Sequence, residues 1–210
     1  MYPYPKSDDG IRPTAVKRAL RLGVTGGIGA GKTFVCSELR RRGIPVLDTD
    51  ETAHRLMASD APLRTSLERL IGKPVTAPDG NLLKPVISQY MAASPLNVER
   101  INNLVHPCVR RAVARWIADR TEEVVAVECA LIFEAGWQDD FDKILLVEAP
   151  RRVRIDRVMK RNHKQATDVG RWISLQLDDE RKRSLADFVI TNDGTADIRA
   201  RIDTLLQQLR

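Results

Sequence analysis

The sequence predicts an α/β protein in which helices cover both faces of a parallel sheet. Five short runs rich in Val, Ile and Leu alternate with longer stretches whose apolar residues recur every three or four positions. Runs that are apolar on both faces are typical of parallel strands packed between helices. A glycine-rich turn joins the first run to the first helical stretch. We therefore expect a three-layer sandwich with a five-stranded parallel sheet, a helical insertion and a lid.

The predicted strands are short and apolar, and they cover residues 22–25, 44–48, 124–128, 144–148 and 188–191. The clearest helix carries an apolar stripe between Ile101 and Ile117, and the last helix carries one between Ile198 and Leu209. Residues 58–95 interrupt the alternation with several prolines. We expect mixed helix and loop there, forming an insertion over the carboxyl edge of the sheet, where ligands of such sheets bind.

Length and composition favour one domain that binds an anionic ligand. The 210-residue chain is 43% hydrophobic, which is enough to bury a core. We expect a flexible N-terminal arm over residues 1–20, which contain three prolines, and a single domain over 21–210. The net charge of +6 suits an anionic ligand. Because only 5% of the residues are aromatic and the basic residues are scattered, a stacking surface for nucleic acid is not expected.

The three cysteines, Cys36, Cys108 and Cys129, form no C-x-x-C pair. Their irregular spacing in apolar stretches favours reduced thiols and a cytoplasmic protein, and it argues against a zinc site. No apolar run approaches the length of a membrane span. The sequence thus predicts a protein with a small-molecule ligand and with neither a membrane nor a nucleic-acid partner.

The glycine-rich turn has the spacing of a phosphate loop (P-loop), G-x-x-x-x-G-K-T over residues 26–33. Its glycines allow backbone N–H groups to face an anion, and the next helix directs its positive N-terminal end to the same point. Lys32 then reaches the β- and γ-phosphates, and the Thr33 hydroxyl binds Mg²⁺. The predicted nucleotide-binding residues of the loop are Gly26, Gly27, Ile28, Gly29, Ala30, Gly31, Lys32 and Thr33.

Two carboxylates, Asp48 and Asp50, end the second predicted strand at the sheet edge that faces the loop. A phosphoryl acceptor needs a carboxylate that orients its hydroxyl and takes its proton. Asp50, just beyond the strand, is the better candidate, whereas Asp48 fixes the turn or a metal-bound water. Alternatively, both residues cap a helix that begins near Glu51, since Asp is a favoured cap.

Two further acids end the third and fourth predicted strands, Glu128 and Glu148. In phosphate-loop enzymes the strand beside the loop often ends in an acid that holds Mg²⁺. Both residues are candidates, and an ordinary solvated strand end is the alternative. Glu128 is favoured only because of the segment that follows it.

Several segments taken together resemble the dephospho-coenzyme A kinase family. Besides the phosphate loop, the matching segments are Asp48-Thr-Asp50, His106-Pro107, residues 128–134, the pair Arg157 and Arg161, and Ala186-Asp-Phe-Val-Ile-Thr-Asn192-Asp-Gly194. They occur in the family's order, and the resemblance covers about residues 21–209. The phosphate loop alone is shared by many enzymes, but the combination is specific.

The resemblance implies transfer of the ATP γ-phosphate to the ribose 3′-hydroxyl of dephospho-coenzyme A, the final step of coenzyme A biosynthesis. ATP and Mg²⁺ are the implied cofactors. Asp50 would be the base, Lys32 would hold the triphosphate, and Arg161 would stabilise the transferring charge from a lid. The implied partner is the small-molecule acceptor, and a monomer or weak homo-oligomer is expected.

The remaining implied roles divide between the two substrates. The ATP-binding residues outside the loop are Arg157, Asn192 and Gly194; the metal ligands are Thr33 and Glu128; the acceptor-binding residues are Asp50, His106, Pro107 and Glu134. The single kinase domain would place an acceptor-binding insertion and helix at 58–120 and a lid at about 155–183.

Two other classes of function stay open at this point. Another small-molecule kinase, of the nucleoside-monophosphate type, would share the loop, the sheet and a basic lid. A non-enzymatic nucleotide-binding or nucleic-acid-binding protein would share the loop and the positive charge. Likewise, His106 is alternatively a structural residue, and the lid arginines are alternatively a solvated helix face.

The chain departs from the family's pattern at three places. Ala130 stands where the family has a proline, and Leu83 stands where it has an acid. The lid carries Gly170 and Trp172 within an expected helix. We expect these changes to alter the backbone near Glu134 and the substrate affinity rather than the chemistry.

Overall fold

The structure is a computed structural model that describes residues 18–162 and 165–209. The predicted N-terminal arm, 1–20, therefore lies largely outside the described residues. Its boundary was wrong at Leu20, whose N–H donates to the Glu123 carbonyl at 2.8 Å and which pairs with Val124. These two contacts extend the first strand to Leu20.

Within the described residues, five strands form one parallel sheet in the order β2-β3-β1-β4-β5. The strands are β1 (Leu20–Thr25), β2 (Val46–Asp48), β3 (Val124–Glu128), β4 (Lys143–Glu148) and β5 (Phe188–Thr191). This result confirms the predicted α/β fold with a five-stranded parallel sheet. The second strand begins at Val46, not at 44, because Ile44 still bonds back to the preceding helix through Leu39.

The helices lie between the strands and after the last one. They are α1 (Lys32–Arg41), α2 (Thr49–Ser59), α3 (Ala61–Ile71), α4 (Lys84–Ala92), α5 (Pro95–Ala118), α6 (Arg151–Asn162), α7 (Ala166–Ser174), α8 (Asp179–Leu185) and α9 (Ile198–Gln208). The predicted insertion at 58–95 thus consists of two short helices and their connections. The Gly170 and Trp172 positions are accommodated inside α7.

Two apolar cores lie on opposite faces of the sheet. On one face, α1 packs against β1 and β3, and α9 packs against α1 and β5, with Leu39 and Ile202 fully buried. On the other face, α2 to α5 pack around Val105, Val127 and Trp137. A third, smaller cluster joins α6 and α7. The α2–α5 layer therefore lies beside the carboxyl ends of β2 and β3.

The strand register brings several polar side chains to one edge of the sheet. Glu128 pairs with Val24 on one side and with Asp48 on the other. The phosphate loop leaves the central strand β1 at the same level. All three cysteines are free, as expected, and Cys36 and Cys129 are buried. Over the described ranges, no helix combines the length and the apolar character needed to cross a membrane.

Candidate active site

The phosphate loop passes so close to the rest of the chain that two of its glycines have no room for a side chain. A Cβ at Gly26 would lie 2.0 Å from the carbonyl oxygen of Val147 in β4. Gly29 has φ +79°, and its Cβ would lie 2.6 Å from the carbonyl oxygen of Arg154. Both obstacles are backbone atoms, which do not rotate away. Contact with β4 and α6 therefore fixes the curl of the loop.

Arg154 holds the loop from outside. Its side chain is almost completely buried, and its Nε donates to the Ile28 carbonyl at 2.8 Å. Its Nη1 donates to both carboxylate oxygens of Asp179 in α8, at 2.9 and 2.7 Å. Gln176 accepts from the Ile28 N–H at 2.8 Å. Two side chains near the lid thus hydrogen-bond the N–H and the carbonyl of Ile28, which fixes the loop before any ligand binds.

Asn192 holds the other end of the loop. Its Nδ2 donates to the Ala30 carbonyl at 3.0 Å, and its Oδ1 accepts from Arg157 at 3.2 Å. Gly31 leaves the space that this amide fills. The resemblance implied that Asn192 binds ATP, and the structure places its side chain in the interior, under the loop. Gly194, with φ +95°, is exposed beyond it at the edge of the site.

Lys32, the lysine of the phosphate loop, is influenced by several charged side chains of the site. Its ammonium donates to the Gly26 carbonyl at 2.9 Å. Burial lowers the pKa of Lys32, while the nearby charges of Glu128 and Asp50 act in the opposite direction and that of Lys182 lowers it further. Two carboxylates and a second lysine are therefore close enough to act on the phosphate-loop lysine.

Glu128 and not Glu148 meets the loop. The Thr33 hydroxyl donates to Glu128 Oε1 at 3.1 Å. The other carboxylate oxygen, Oε2, is buried and accepts no hydrogen bond from the described residues. Glu148 instead accepts from Arg183 and from Thr191. An orphaned carboxylate oxygen beside a hydroxyl is a donor set that suits Mg²⁺, which takes one or two carboxylates and completes its shell with phosphates and water.

Asp48 and Asp50 have different tasks. The Asp48 carboxylate caps α2 by accepting from the N–H groups of Asp50 and Glu51, at 2.8 and 3.0 Å. Asp50 is exposed in the first turn and lines a neighbouring cavity. Of the two carboxylates, only Asp48 therefore acts as the helix cap. The Asp50 side chain remains available to the neighbouring cavity.

A cavity of about 270 Å³ opens next to the phosphate loop between α2, α4, α5 and the turn after β3. Its lining is mostly apolar, with polar groups from Asp50, His54, Lys84, Asn102 and His106. Ala130, where the family has a proline, also lines it. An apolar cavity with a few convergent polar groups is the usual form of a small-molecule site.

His106 and Trp137 form one wall of this cavity. The two rings meet edge to face, with centroids 5.9 Å apart. Burial lowers the pKa of His106, so the imidazole is held towards its neutral form. Pro107 does not line the cavity and is exposed. Successive residues of a helix point about 100° apart, so a chain that directs His106 inward turns Pro107 outward, against the implied role.

Glu134 also lies outside the cavity lining. Its Oε1 accepts from the Leu177 N–H at 3.0 Å and lies 2.9 Å from the ammonium of Lys182. Arg157 and Arg161 occur one turn apart on α6, with Arg161 exposed. Arg157 donates to the Ala30 carbonyl of the loop at 3.4 Å and also to Asn192. Of the predicted arginine pair, Arg157 is therefore the residue that contacts the phosphate loop.

Sequence reasoning missed Arg154, Trp137 and Lys182. Arg154 and Lys182 occur in runs of basic residues that are typical of a solvated helix face. Both are in fact buried, Arg154 against the loop and Lys182 beside Glu134. Gln176, just before α8, also contacts the loop by accepting from the Ile28 N–H.

The comparisons with known proteins agree with this geometry. A model of the family described as dephospho-CoA kinase matches residues 20–197. The chain belongs to the dephospho-CoA kinase family. A dephospho-CoA kinase of Bacteroides fragilis is 33% identical over 177 residues, which cover 84% of this chain and 86% of that protein. This result confirms the resemblance seen in the sequence.

Two solved structures are similar to this member of the family. The protein TT1252 from Thermus thermophilus has a TM-score of 0.80 at 31% identity, covering 92% of this chain and 100% of its own. The dephospho-CoA kinase from Campylobacter jejuni has a TM-score of 0.68 at 22% identity, covering 90% and 96%, and supports the fold. The protein is thus an ATP-dependent kinase of coenzyme A biosynthesis, and the non-enzymatic alternative is excluded.

Proposed function

We propose that this chain transfers the γ-phosphate of ATP to the 3′-hydroxyl of dephospho-CoA, with the phosphate loop as the ATP site and the adjacent cavity as the acceptor site. One observation carries the proposal. Asp50 lines the cavity, and its charge also acts on Lys32 beneath the loop. A single carboxylate therefore faces both the acceptor and the phosphates.

Asp50 is the proposed base. A hydroxyl bound in the cavity donates to its carboxylate, which orients the oxygen towards the γ-phosphorus and takes the proton as the new bond forms. Lys32 and the loop N–H groups bind the triphosphate oxygens and stabilise the charge that develops on them. His106 and Trp137 hold the acceptor against the opposite wall.

Thr33 and Glu128 are the residues that would hold Mg²⁺. The bound ion neutralises charge on the phosphate oxygens. Glu128 Oε2 is buried without a hydrogen bond from the described residues, which leaves it available as a ligand. The Thr33 hydroxyl, now donating to Glu128, turns its oxygen to the same point.

The lid, at about 155–183, carries Arg157 and Arg161, which close over the phosphates and exclude water. The adenine lies along the exposed backbone near Gly194. The acceptor half belongs to residues 58–120 together with the start of α2. Since one chain carries both halves, the kinase acts as a monomer or weak homo-oligomer, and its free thiols suit the cytoplasm.

The substitution Asp50→Asn tests the proposal. Loss of the base lowers kcat by about 10²–10⁴-fold, while ATP binding measured by calorimetry stays the same. Asp48→Asn is the matched control, because Asn caps a helix as well as Asp does and kcat should remain near wild type.

The acceptor is tested separately by supplying ATP with dephospho-CoA and with a panel of nucleosides and nucleotides. Turnover on the panel alone would refute dephospho-CoA as the substrate and favour another small-molecule kinase. Equal activity of the Asp50→Asn variant and wild type would refute the proposed base.

A further inference from the structure

Lys182 is a buried cation whose hydrogen-bond donors are not used by the chain. Its side chain is 0% exposed, and its ammonium lies 2.9 Å from Glu134 Oε1. Within the described residues that ammonium donates no aligned hydrogen bond. An ammonium has three donors, and a buried polar group that makes no hydrogen bond is costly. Anionic oxygens are the acceptors that best suit such a group.

The position of α8 directs Lys182 towards the phosphate loop. Asp179, one turn before Lys182 on the same helix face, is paired with Arg154, which itself holds the loop. Lys182 is thus on the face of α8 that meets Arg154 and, through Arg154, the loop. The charge of Lys182 also contributes to lowering the pKa of Lys32.

Glu134 is the carboxylate that lies beside the Lys182 ammonium. Its carboxylate is fixed by the Leu177 N–H and offers Lys182 an opposite charge. Glu134 Oε1 faces both the Leu177 N–H and the Lys182 ammonium. Most of the three N–H donors of the ammonium are therefore unused. A buried pair that is only partly satisfied adds little to stability, which makes a purely structural role a poor explanation.

We propose that Lys182 is a catalytic residue whose ammonium binds the γ-phosphoryl oxygens of ATP together with Lys32. The inference rests on the proposed ATP site and adds a second cation to it. During transfer the bond from the γ-phosphorus to the bridging oxygen of ADP breaks, the bond to the acceptor oxygen forms, and the acceptor proton goes to Asp50. Lys182 keeps its protons and stabilises the charge on the equatorial oxygens throughout.

The test compares the affinities for a non-hydrolysable ATP analogue and for ADP, both with Mg²⁺, by calorimetry. Only the analogue carries a γ-phosphate. Lys182→Met should weaken binding of the analogue roughly 10-fold or more relative to ADP and lower kcat about 10²–10³-fold, as loss of one charge-stabilising donor does elsewhere. An unchanged ratio of the two affinities would overturn the proposal.

Two controls separate this role from a structural one. Glu134→Gln breaks the same ion pair but retains the ammonium, so the affinity ratio should not fall; an equal fall in both variants would mean that the pair only supports α8. Lys143→Met breaks the exposed Lys143–Asp187 pair, which has the same 2.9 Å separation, and should leave the ratio at its wild-type value.

If Lys182→Met does not fold, the double variant Lys182→Met/Glu134→Gln leaves no charge unpaired and supplies the same measurement. A fall in its affinity ratio supports the proposal, and a wild-type ratio overturns it. If wild-type protein binds neither nucleotide, the proposed ATP site itself fails, which is a distinct result from an unchanged ratio in the variant.

Discussion

The two halves of the cleft are built from different parts of the chain. The ATP half is mainly backbone: a loop pressed against β4 and α6, where a single added Cβ would lie 2.0 Å from another carbonyl oxygen. The acceptor half is mainly side chains, arranged around a cavity of about 270 Å³. The shape of a site built from backbone is set by the path of the chain, whereas the shape of a site built from side chains is set by the residues that line it.

This difference predicts how each half responds to substitution. In the ATP half, a methyl group added to a loop glycine has to displace backbone atoms, so even a glycine-to-alanine substitution disrupts the curl of the loop. In the acceptor half, a changed side chain alters the shape of the wall and leaves the rest in place. We expect large, all-or-none effects in the first half and graded effects in the second.

The largest effect is expected for Gly29→Ala. The new methyl group would lie 2.6 Å from the Arg154 carbonyl oxygen. We expect kcat/KM for ATP to fall more than about 100-fold, equivalent to about 2.7 kcal/mol. Gly43→Ala is the matched control, because Gly43 has φ +80° against +79° for Gly29 but nothing within 4 Å of its Cβ. The control should lose only stability, about 1–2 kcal/mol; similar kinetics in the two variants would contradict the prediction.

A smaller effect is expected for Arg154→Met. The substitution removes the hydrogen bond to the Ile28 carbonyl and leaves Asp179 without its guanidinium. Because the loop is then held by fewer contacts, KM for ATP should rise about 10-fold and the protein should lose about 2–3 kcal/mol of stability. Arg152→Met, at an exposed position of the same helix, should change neither quantity. A wild-type KM for ATP in Arg154→Met would show that the loop keeps its shape without this residue.

In the acceptor half, Trp137→Phe should act on dephospho-CoA alone. The smaller ring loses part of its edge-to-face contact with His106 and widens the cavity. We expect KM for dephospho-CoA to rise about 3–10-fold, since such aromatic pairs contribute about 0.5–1.5 kcal/mol. ATP affinity should not change. Trp116→Phe, outside the cavity lining, serves as the control; a loss of ATP affinity in Trp137→Phe would show that the two halves are not independent.

The smallest effect is expected for the pH dependence of His106. Burial lowers its pKa from 6.5, so the unfolded chain binds a proton more readily than the folded protein. The histidine therefore makes stability fall as pH drops below about 6.5, and His106→Gln should reduce that fall. Urea unfolding between pH 8 and pH 5 measures it. A difference between variant and wild type that is constant with pH would contradict the assignment.

The sequence predicts the ATP half well because its chemistry depends on local spacing. The G-x-x-x-x-G-K-T pattern lies within eight consecutive residues, and the strand before it and the helix after it were both identifiable. Asp50 was predicted together with a capping alternative that local sequence could not resolve. The structure separates the two carboxylates because the Asp48 side chain turns back to the N–H groups of α2.

The contacts that support the loop could not be predicted from local spacing, because they join residues that are far apart in the chain. Arg154 reaches a carbonyl 126 positions earlier in the chain, and Asn192 one 162 positions earlier. Contacts between residues so far apart in the chain produce no recognisable pattern in the sequence around either residue. A two-residue motif such as His106-Pro107 likewise does not indicate which residue faces the cavity, and in α5 that residue is His106.

The strand order has a consequence for how the protein is made. The phosphate loop leaves the ribosome early, but β1 pairs with β3 and β4, and Asn192 closes the loop from near the other end. Until those segments have been translated, the contacts of β4, α6 and Asn192 that fix the loop conformation cannot form. A nascent chain therefore exposes the loop, and the edges of β1, until those segments emerge, and ATP becomes a stabilising ligand only after that point.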